Sequence, residues 1–291
     1  QKTAYEIPLC DWSSDVCCSD LRSISIAMDY QKICEEVTIL TKHVGTWLCS
    51  ERQRLDAVKT ETKGVHDYVT QFDKQSEQTI VSRLRELVPE AGFITEEKTA
   101  TQLADQYNWI VDPLDGTTNF IHGLPPTAIS IALKEYDQMV IGVVYEIWRD
   151  ECFYAYKGGQ AYMNGYPIHV SDAPNMDSSL LATGFPYSDF SRLPEFMQYM
   201  EWSMQHTHGL RRLGSAATDL AYTACGRCDG YFEYGMKPYD VAAGAFIVKM
   251  AGGTVSDFSG GDNWLFGSEI VAAGPTLFPE LQQSVMKFLK K

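Results

Sequence analysis

Apolar residues in the first third of the chain recur at helical spacing. Ile33, Val37, Leu40, Val44 and Trp47 fall three or four apart, which predicts an amphipathic helix over about 30–57. A second helix carries Ile80, Leu84 and Leu87 on its apolar face; Asp73 is placed near its start and Pro89 stops it. From 128 to 163 the period changes to that of strands. Ile129–Leu133, Val140–Tyr145 and Cys152–Tyr156 are rich in β-branched and aromatic residues and are separated by the polar turns 134–138 and 149–151, which predicts an antiparallel meander. Beyond Pro174 short apolar strands at Leu180–Thr183, Tyr231–Tyr234 and Ile270–Ala273 alternate with helical stretches near 193–206, 215–225, 240–250 and 277–290. Such alternation favours helices packed on sheet faces. The reading is an N-terminal α+β subdomain over 28–172 and a C-terminal α/β subdomain over 173–291, sharing one cleft.

The first 27 residues show neither period. Cys10–Leu21 holds three of the eight cysteines, and no basic start leads into an apolar core, so the segment does not read as a secretory signal. It resembles an in-frame translation of a sequencing adaptor, with the native start expected at Met28; a disordered natural extension is the alternative. No function is assigned to it.

Composition narrows the class. The chain has 291 residues, 45% hydrophobic and 21% charged, ordinary values for a globular protein. No run approaches the ~18 consecutive apolar residues of a membrane span, so no membrane role is expected. The formal charge of −14 makes nucleic acid a poor partner, because phosphate backbones reward Lys and Arg. The same objection to a phosphorylated substrate disappears if part of the acidity holds divalent cations. Outside the leader, Cys34, Cys49, Cys152, Cys225 and Cys228 are scattered and odd in number, which favours reduced thiols and a cytoplasmic location. Cys225 and Cys228 lack the second half of a zinc site.

The candidate chemistry gathers around a short apolar strand, Trp109–Val111, that runs into Asp112-Pro113-Leu114-Asp115-Gly116-Thr117-Thr118-Asn119. Two carboxylates three apart, with proline fixing the turn between them, can converge on one point. Gly116 permits close backbone approach, and the N–H groups of Gly116, Thr117 and Thr118 can face an anion at a helix start. Read alone, the motif is more readily an Asp-rich turn with a helix cap. Upstream, Glu96 and Glu97 follow the apolar Phe93–Thr95, and Lys63 and Asp73 lie earlier. Downstream, Glu233 precedes Asp240, which opens a helix of small residues and also suits an N-cap. Several carboxylates beside buried strands are costly unless a cation or another partner satisfies them.

Four separated stretches, in order, resemble the inositol monophosphatase family: Glu96-Glu97, Asp112–Phe120, Gly214-Ser215-Ala216-Ala217 and Pro238–Gly244. The resemblance spans nearly the whole chain from Met28. It implies a layered α-β-α-β-α sandwich of the sugar-phosphatase type and hydrolysis of a phosphate monoester by metal-activated water, with no phosphoenzyme. It further implies two or three Mg²⁺ ions, a homodimer and sensitivity to Li⁺. By the same resemblance Glu96, Asp112, Asp115 and Asp240 bind Mg²⁺ with their side chains and Leu114 with its carbonyl. Thr117 with Glu96 positions the attacking water, so that Glu96, Thr117 and Asp112 form the catalytic set. Asp115, Gly116, Thr117, Ala216, Glu233 and Asp240 contact the substrate, and Lys63, Asp73 and Glu97 stand behind the ligands. Tyr239 departs from the Trp found in many relatives, and Met236-Lys237 lies in a stretch that varies between branches. The implied substrate is myo-inositol 1-phosphate or a similar polyol or sugar phosphate. Fructose 1,6-bisphosphate, histidinol phosphate and 3′-phosphoadenosine nucleotides are alternatives, as is a non-catalytic regulatory role.

Overall fold

The computed structural model describes residues 28–58, 65–186 and 189–289. The leader and Lys63 lie outside the described residues. Two long helices come first, α1 (Tyr30–Val58) and α2 (Val65–Leu87). Asp73 is therefore in the third turn of α2 rather than near its start. Upstream of Asp73 the apolar residues Val65, Tyr68, Val69 and Phe72 keep the same three-and-four spacing, so the longer helix agrees with the chain's own pattern.

Strands β1 (Gly92–Thr95), β2 (Tyr107–Asp115), β3 (Ala128–Glu135), β4 (Gln138–Glu146), β5 (Glu151–Tyr156), β6 (Ala161–Met163) and β7 (Tyr166–Pro167) pair in chain order into one sheet. Only β1 and β2 pair in parallel; β3 to β6 are the expected meander. The short helix α3 (Thr117–His122) separates β2 from β3. A second sheet takes β8 (Leu180–Thr183), β9 (Gly209–Arg211), β10 (Gly230–Tyr234), β11 (Thr254–Ser256) and β12 (Glu269–Ala273) in the order β11-β12-β10-β8-β9. The three-residue β9 and β11 carry too few positions to show a period, which is why the sequence reading passes over them. Helices α4 (Leu193–His206), α5 (Ala216–Ala224), α6 (Pro238–Met250) and α7 (Phe278–Leu289) complete the chain.

The layers follow from which residues each face buries. On β3, Ile129, Ile131 and Leu133 join Val37, Val44 and Leu84 of α1 and α2. The alternate positions Ala128 and Ala132 join Val241, Ala245 and Val248 of α6. This is the period of two of a strand buried on both faces. Small residues on the inner face let α6 approach closely: a Cβ on Gly142 would stand 2.8 Å from the carbonyl oxygen of Ala243. Every residue of α6 from Val241 to Val248 is buried, as befits a helix between two sheets. With α5 it forms the middle layer, while α4 and α7 cover the outer face of the second sheet around Phe196, Tyr199 and Phe232. The result is the five-layered α-β-α-β-α sandwich. Among the described residues no helix is long and apolar enough to cross a membrane.

Candidate active site

The centre of the site is a fault in a strand. β2 and β3 pair regularly down to Asp112 opposite Ser130, and pairing resumes at Asp115 opposite Ala128, so β2 carries one extra residue. Pro113 has no N–H to give the ladder, and a bulge is where a strand tolerates proline. In an unbroken strand residues three apart face opposite ways; the extra residue reverses that parity and lets Asp112 and Asp115 serve one side. Asp112 Oδ1 accepts the N–H of Leu114 at 2.9 Å, which closes the turn. Gly116 then adopts φ +87°, a left-handed conformation suited to glycine, and leads into α3.

Both middle-layer helices point their N-termini at this bulge. Ser215 caps α5 by accepting the N–H of Thr218. The Ser215 hydroxyl and the Ala217 N–H both donate to Asp115 Oδ2, at 2.6 and 2.7 Å. Asp115 thereby joins the first sheet to the second half of the chain. Pro238 occupies the first turn of α6, and Asp240 Oδ2 accepts the Lys237 N–H at 2.6 Å. Asp240 is thus not the N-cap that its position in the sequence suggested; Lys237 holds that place, three residues earlier. Asn119 ties the walls together by donating to the carbonyls of Pro126 and Leu213, both at 2.8 Å.

These elements line a cleft of 280 Å³, at the small end for ligand sites. Glu96, Asp115, Gly116, Thr117, Ala216, Glu233 and Asp240 line it. Asp112 lies beneath, 2% exposed and within hydrogen-bonding reach of Glu96. Leu114 is fully buried, and its carbonyl accepts the Thr117 hydroxyl at 3.1 Å. Asp73 and Glu97 sit behind Glu96 and do not line the cleft.

The electrostatics are those of crowded, desolvated carboxylates. Burial, then the charges of Glu96, Asp115 and Asp240, pushes Asp112 well above the ordinary carboxylate range. Burial also raises Asp240, with Asp115 next in effect. Glu96 rises to about 7 through burial. Asp115 rises only to about 6, because Ser215 and the α5 backbone offset its desolvation. Asp73 rises to about 8 through burial and the nearby Glu96 and Glu97, and its Oδ1 has no hydrogen-bond partner. Among the described residues no Lys or Arg pairs with Glu96, Asp112, Asp115 or Asp240.

Such a set asks for a cation. By donor chemistry it suits a hard, oxygen-seeking ion, since neither His nor Cys lines the cleft. Among the described residues no three His, Cys, Asp or Glu side chains are drawn in around a single ion position. Asp115 and Asp240 each turn an oxygen to a backbone N–H instead.

The inositol monophosphatase family model matches residues 29–288. The chain belongs to the inositol monophosphatase family. It is 39% identical over 249 residues to a protein named Nus factor SuhB from Pasteurella multocida, covering 85% of this chain and 93% of the relative. With Nus factor SuhB of Escherichia coli identity is 41% over 235 residues, 80% of this chain and 88% of that one. Among solved structures, the extragenic suppressor protein suhB of Bartonella henselae superposes with a TM-score of 0.80 at 34% identity, covering 88% of this chain and 99% of its own. The inositol monophosphatase of Anabaena gives 0.78 at 33%, covering 89% and 96%.

Three residues that line the cleft escape the sequence reading: Gly184, Arg212 and Asp219. Gly184, at the end of β8, lines the cleft; a Cβ there would stand 1.8 Å from Glu233 Oε1. Asp219 also lines it, 1% exposed, with Oδ1 unpartnered. One acidic residue inside a helix that is otherwise small and apolar was the available signal for Asp219. Nothing local marks Gly184, since only folding brings it to Glu233.

Glu233 makes a testable contribution to pH dependence. Burial raises it from 4.5 to about 7, against the Tyr231 hydroxyl that donates to its Oε2 at 2.7 Å. A carboxyl group raised on folding supports the fold fully below its unfolded pKa, and that support is lost as pH climbs through the folded value. Between about pH 4.5 and 7 the metal-free protein therefore loses on the order of 3 kcal/mol from this group. Glu233→Gln is expected to flatten that fall and raise Tm at pH 8 by roughly 5 °C in melts without metal. A variant melting with the wild-type pH slope would refute it.

Proposed function

We propose that this chain hydrolyses a phosphate monoester with the help of Mg²⁺, its substrate being myo-inositol 1-phosphate or a similar polyol phosphate. The observation that carries the reading is the group Glu96, Asp112, Asp115 and Asp240, gathered at one small cleft without a described cationic partner. Those four carboxylates, with the Leu114 carbonyl, would hold the metal. When bound, Mg²⁺ supplies Lewis acidity that neutralises phosphate charge, eases ionisation of water and stabilises the leaving alkoxide.

The chain's own residues do the rest. Glu96 and Thr117 face the cleft together, so they can orient a water between them, with Glu96 accepting its proton. The N-termini of α5 and α6 bring the positive ends of their helix dipoles to the phosphate. At the far wall Glu233 offers acceptor oxygens to ring hydroxyls, while Ala216 leaves room for the ring.

The direct test is phosphate release from inositol 1-phosphate, fructose 1,6-bisphosphate, histidinol phosphate and a 3′-phosphoadenosine nucleotide, with and without Mg²⁺. The expected result is Mg²⁺-dependent release, fastest from inositol 1-phosphate. A different fastest substrate keeps the chemistry and moves the assignment. The name Nus factor, carried by several relatives, favours one second reading, a non-catalytic regulatory protein. Failure of folded, Mg²⁺-supplied protein to release phosphate from any of the four would support it.

A further inference from the structure

Glu77 lies on α2 four residues after Asp73, so the two share a helix face, the one turned to Glu96. It is fully buried. Its Oε2 accepts the N–H of Glu97 at 2.7 Å, and its Oε1 accepts the N–H and the hydroxyl of Thr99 at 2.8 and 2.7 Å. A buried carboxylate is tolerated when donors satisfy it, and all three donors here belong to the turn that carries Glu96. From the other side the Glu96 N–H donates to the carbonyl of Val111 at 3.3 Å, one residue before Asp112. Between the bonded residues Lys98 is held at φ +58°, which a non-glycine residue adopts only when its surroundings impose it. The turn is clamped to α2 at one end and to β2 at the other, with the Glu96 side chain between.

We infer that Glu77 is a positioning residue for metal capture: its clamp on residues 97–99 sets where the Glu96 carboxylate meets Asp112. The inference rests on the Mg²⁺-dependent reading above. Glu77 itself does not line the cleft and touches neither metal nor substrate. Its identity matters because glutamine would turn an NH₂ group toward a backbone N–H, setting donor against donor. Thr99 is exposed, so its hydroxyl can be removed without opening the core.

The experiment compares wild type, Glu77→Gln, Thr99→Val and Thr99→Ser as full chains. Three readouts are taken: Mn²⁺ binding by calorimetry as a probe of the Mg²⁺ site, amide exchange at Glu97 and Thr99, and phosphate release against Mg²⁺ concentration. Glu77→Gln is expected to weaken Mn²⁺ binding about tenfold or more, the usual scale for losing a group that orients a ligand. Its kcat at saturating Mg²⁺ should stay within about threefold of wild type, because the reacting groups are intact. Amide exchange at 97 and 99 should quicken. Thr99→Val should weaken Mn²⁺ binding by about threefold, since it removes one of three donors to Glu77 and leaves the two backbone donors in place, and Thr99→Ser should restore it. A folded Glu77→Gln protein with wild-type Mn²⁺ affinity overturns the inference. If that variant does not fold, Thr99→Val binding Mn²⁺ as tightly as Thr99→Ser overturns it. Wild type that binds no Mn²⁺ overturns the Mg²⁺ reading and the clamp with it.

Discussion

Asp112→Asn is expected to abolish Mg²⁺-dependent phosphate release, by about a thousandfold or more, while leaving the metal-free protein as stable as before. A thousandfold loss corresponds to about 4 kcal/mol of transition-state stabilisation, within reach of removing a metal's charged ligand. The side chain is 2% exposed and surrounded by Glu96, Asp115 and Asp240, so its charge is unwelcome without a cation. Asparagine keeps the shape, and its carbonyl can still accept the Leu114 N–H that closes the bulge. The fold therefore loses a repulsion and no hydrogen bond. Melting curves should show an equal or higher Tm without Mg²⁺ and little further rise on adding it, whereas wild type should gain about 3 kcal/mol at a hundredfold excess over its Kd. Activity within tenfold of wild type would remove Asp112 from the metal site.

Gly184→Ala should cripple the site from its opposite wall. The new methyl would overlap Glu233, at 1.8 Å from Oε1 and 2.1 Å from Cδ, far inside any real contact. Glu233 cannot retreat into solvent, being 5% exposed and bonded to Tyr231, so its carboxylate must leave the position from which it meets a ring hydroxyl. The expected loss in kcat/KM on inositol 1-phosphate is about a hundredfold, or nearly 3 kcal/mol. On p-nitrophenyl phosphate, which offers no ring hydroxyls, the loss should stay within about threefold, because the metal end is untouched. A double-mutant cycle makes the cause explicit. In a Glu233→Ala background the Gly184 substitution should add nothing further, since the group it displaces is already gone. Additive losses would mean that Gly184 acts through the backbone of β8 instead.

The contrast between these two positions shows how the site divides between chain and fold. Asp112 could be singled out because its partners are neighbours in sequence: a proline, a second aspartate and a glycine within five positions. Its convergence with Asp115 depends on a bulge, and Pro113 announces one. Gly184 is 49 positions from the residue it accommodates, and a glycine after a strand looks like any turn. Glu77 has the same difficulty. One glutamate on a polar helix face reads as a solvated charge until the turn at 96–99 is seen folded onto it.

Secondary structure divides in a similar way. The meander of β3 to β6 and the helices α4 and α7 were legible because each repeats its period over several residues, whereas α5 and α6, buried on all sides, showed as runs of small and apolar residues. The three-residue strands β9 and β11 were not legible, since tertiary contacts rather than local pattern define them.

By itself, then, the sequence determined most of the elements, the family and the candidate carboxylates, because hydrophobic period and the Asp112–Thr118 motif are local properties. Only the tertiary structure decided how they meet. It placed α5 and α6 between two sheets, aimed both N-termini at the bulge, brought Gly184 against Glu233 and set Glu77 beneath the Glu96 turn. These are contacts between distant segments. They exist because close packing of the buried middle layer leaves each side chain essentially one place to be.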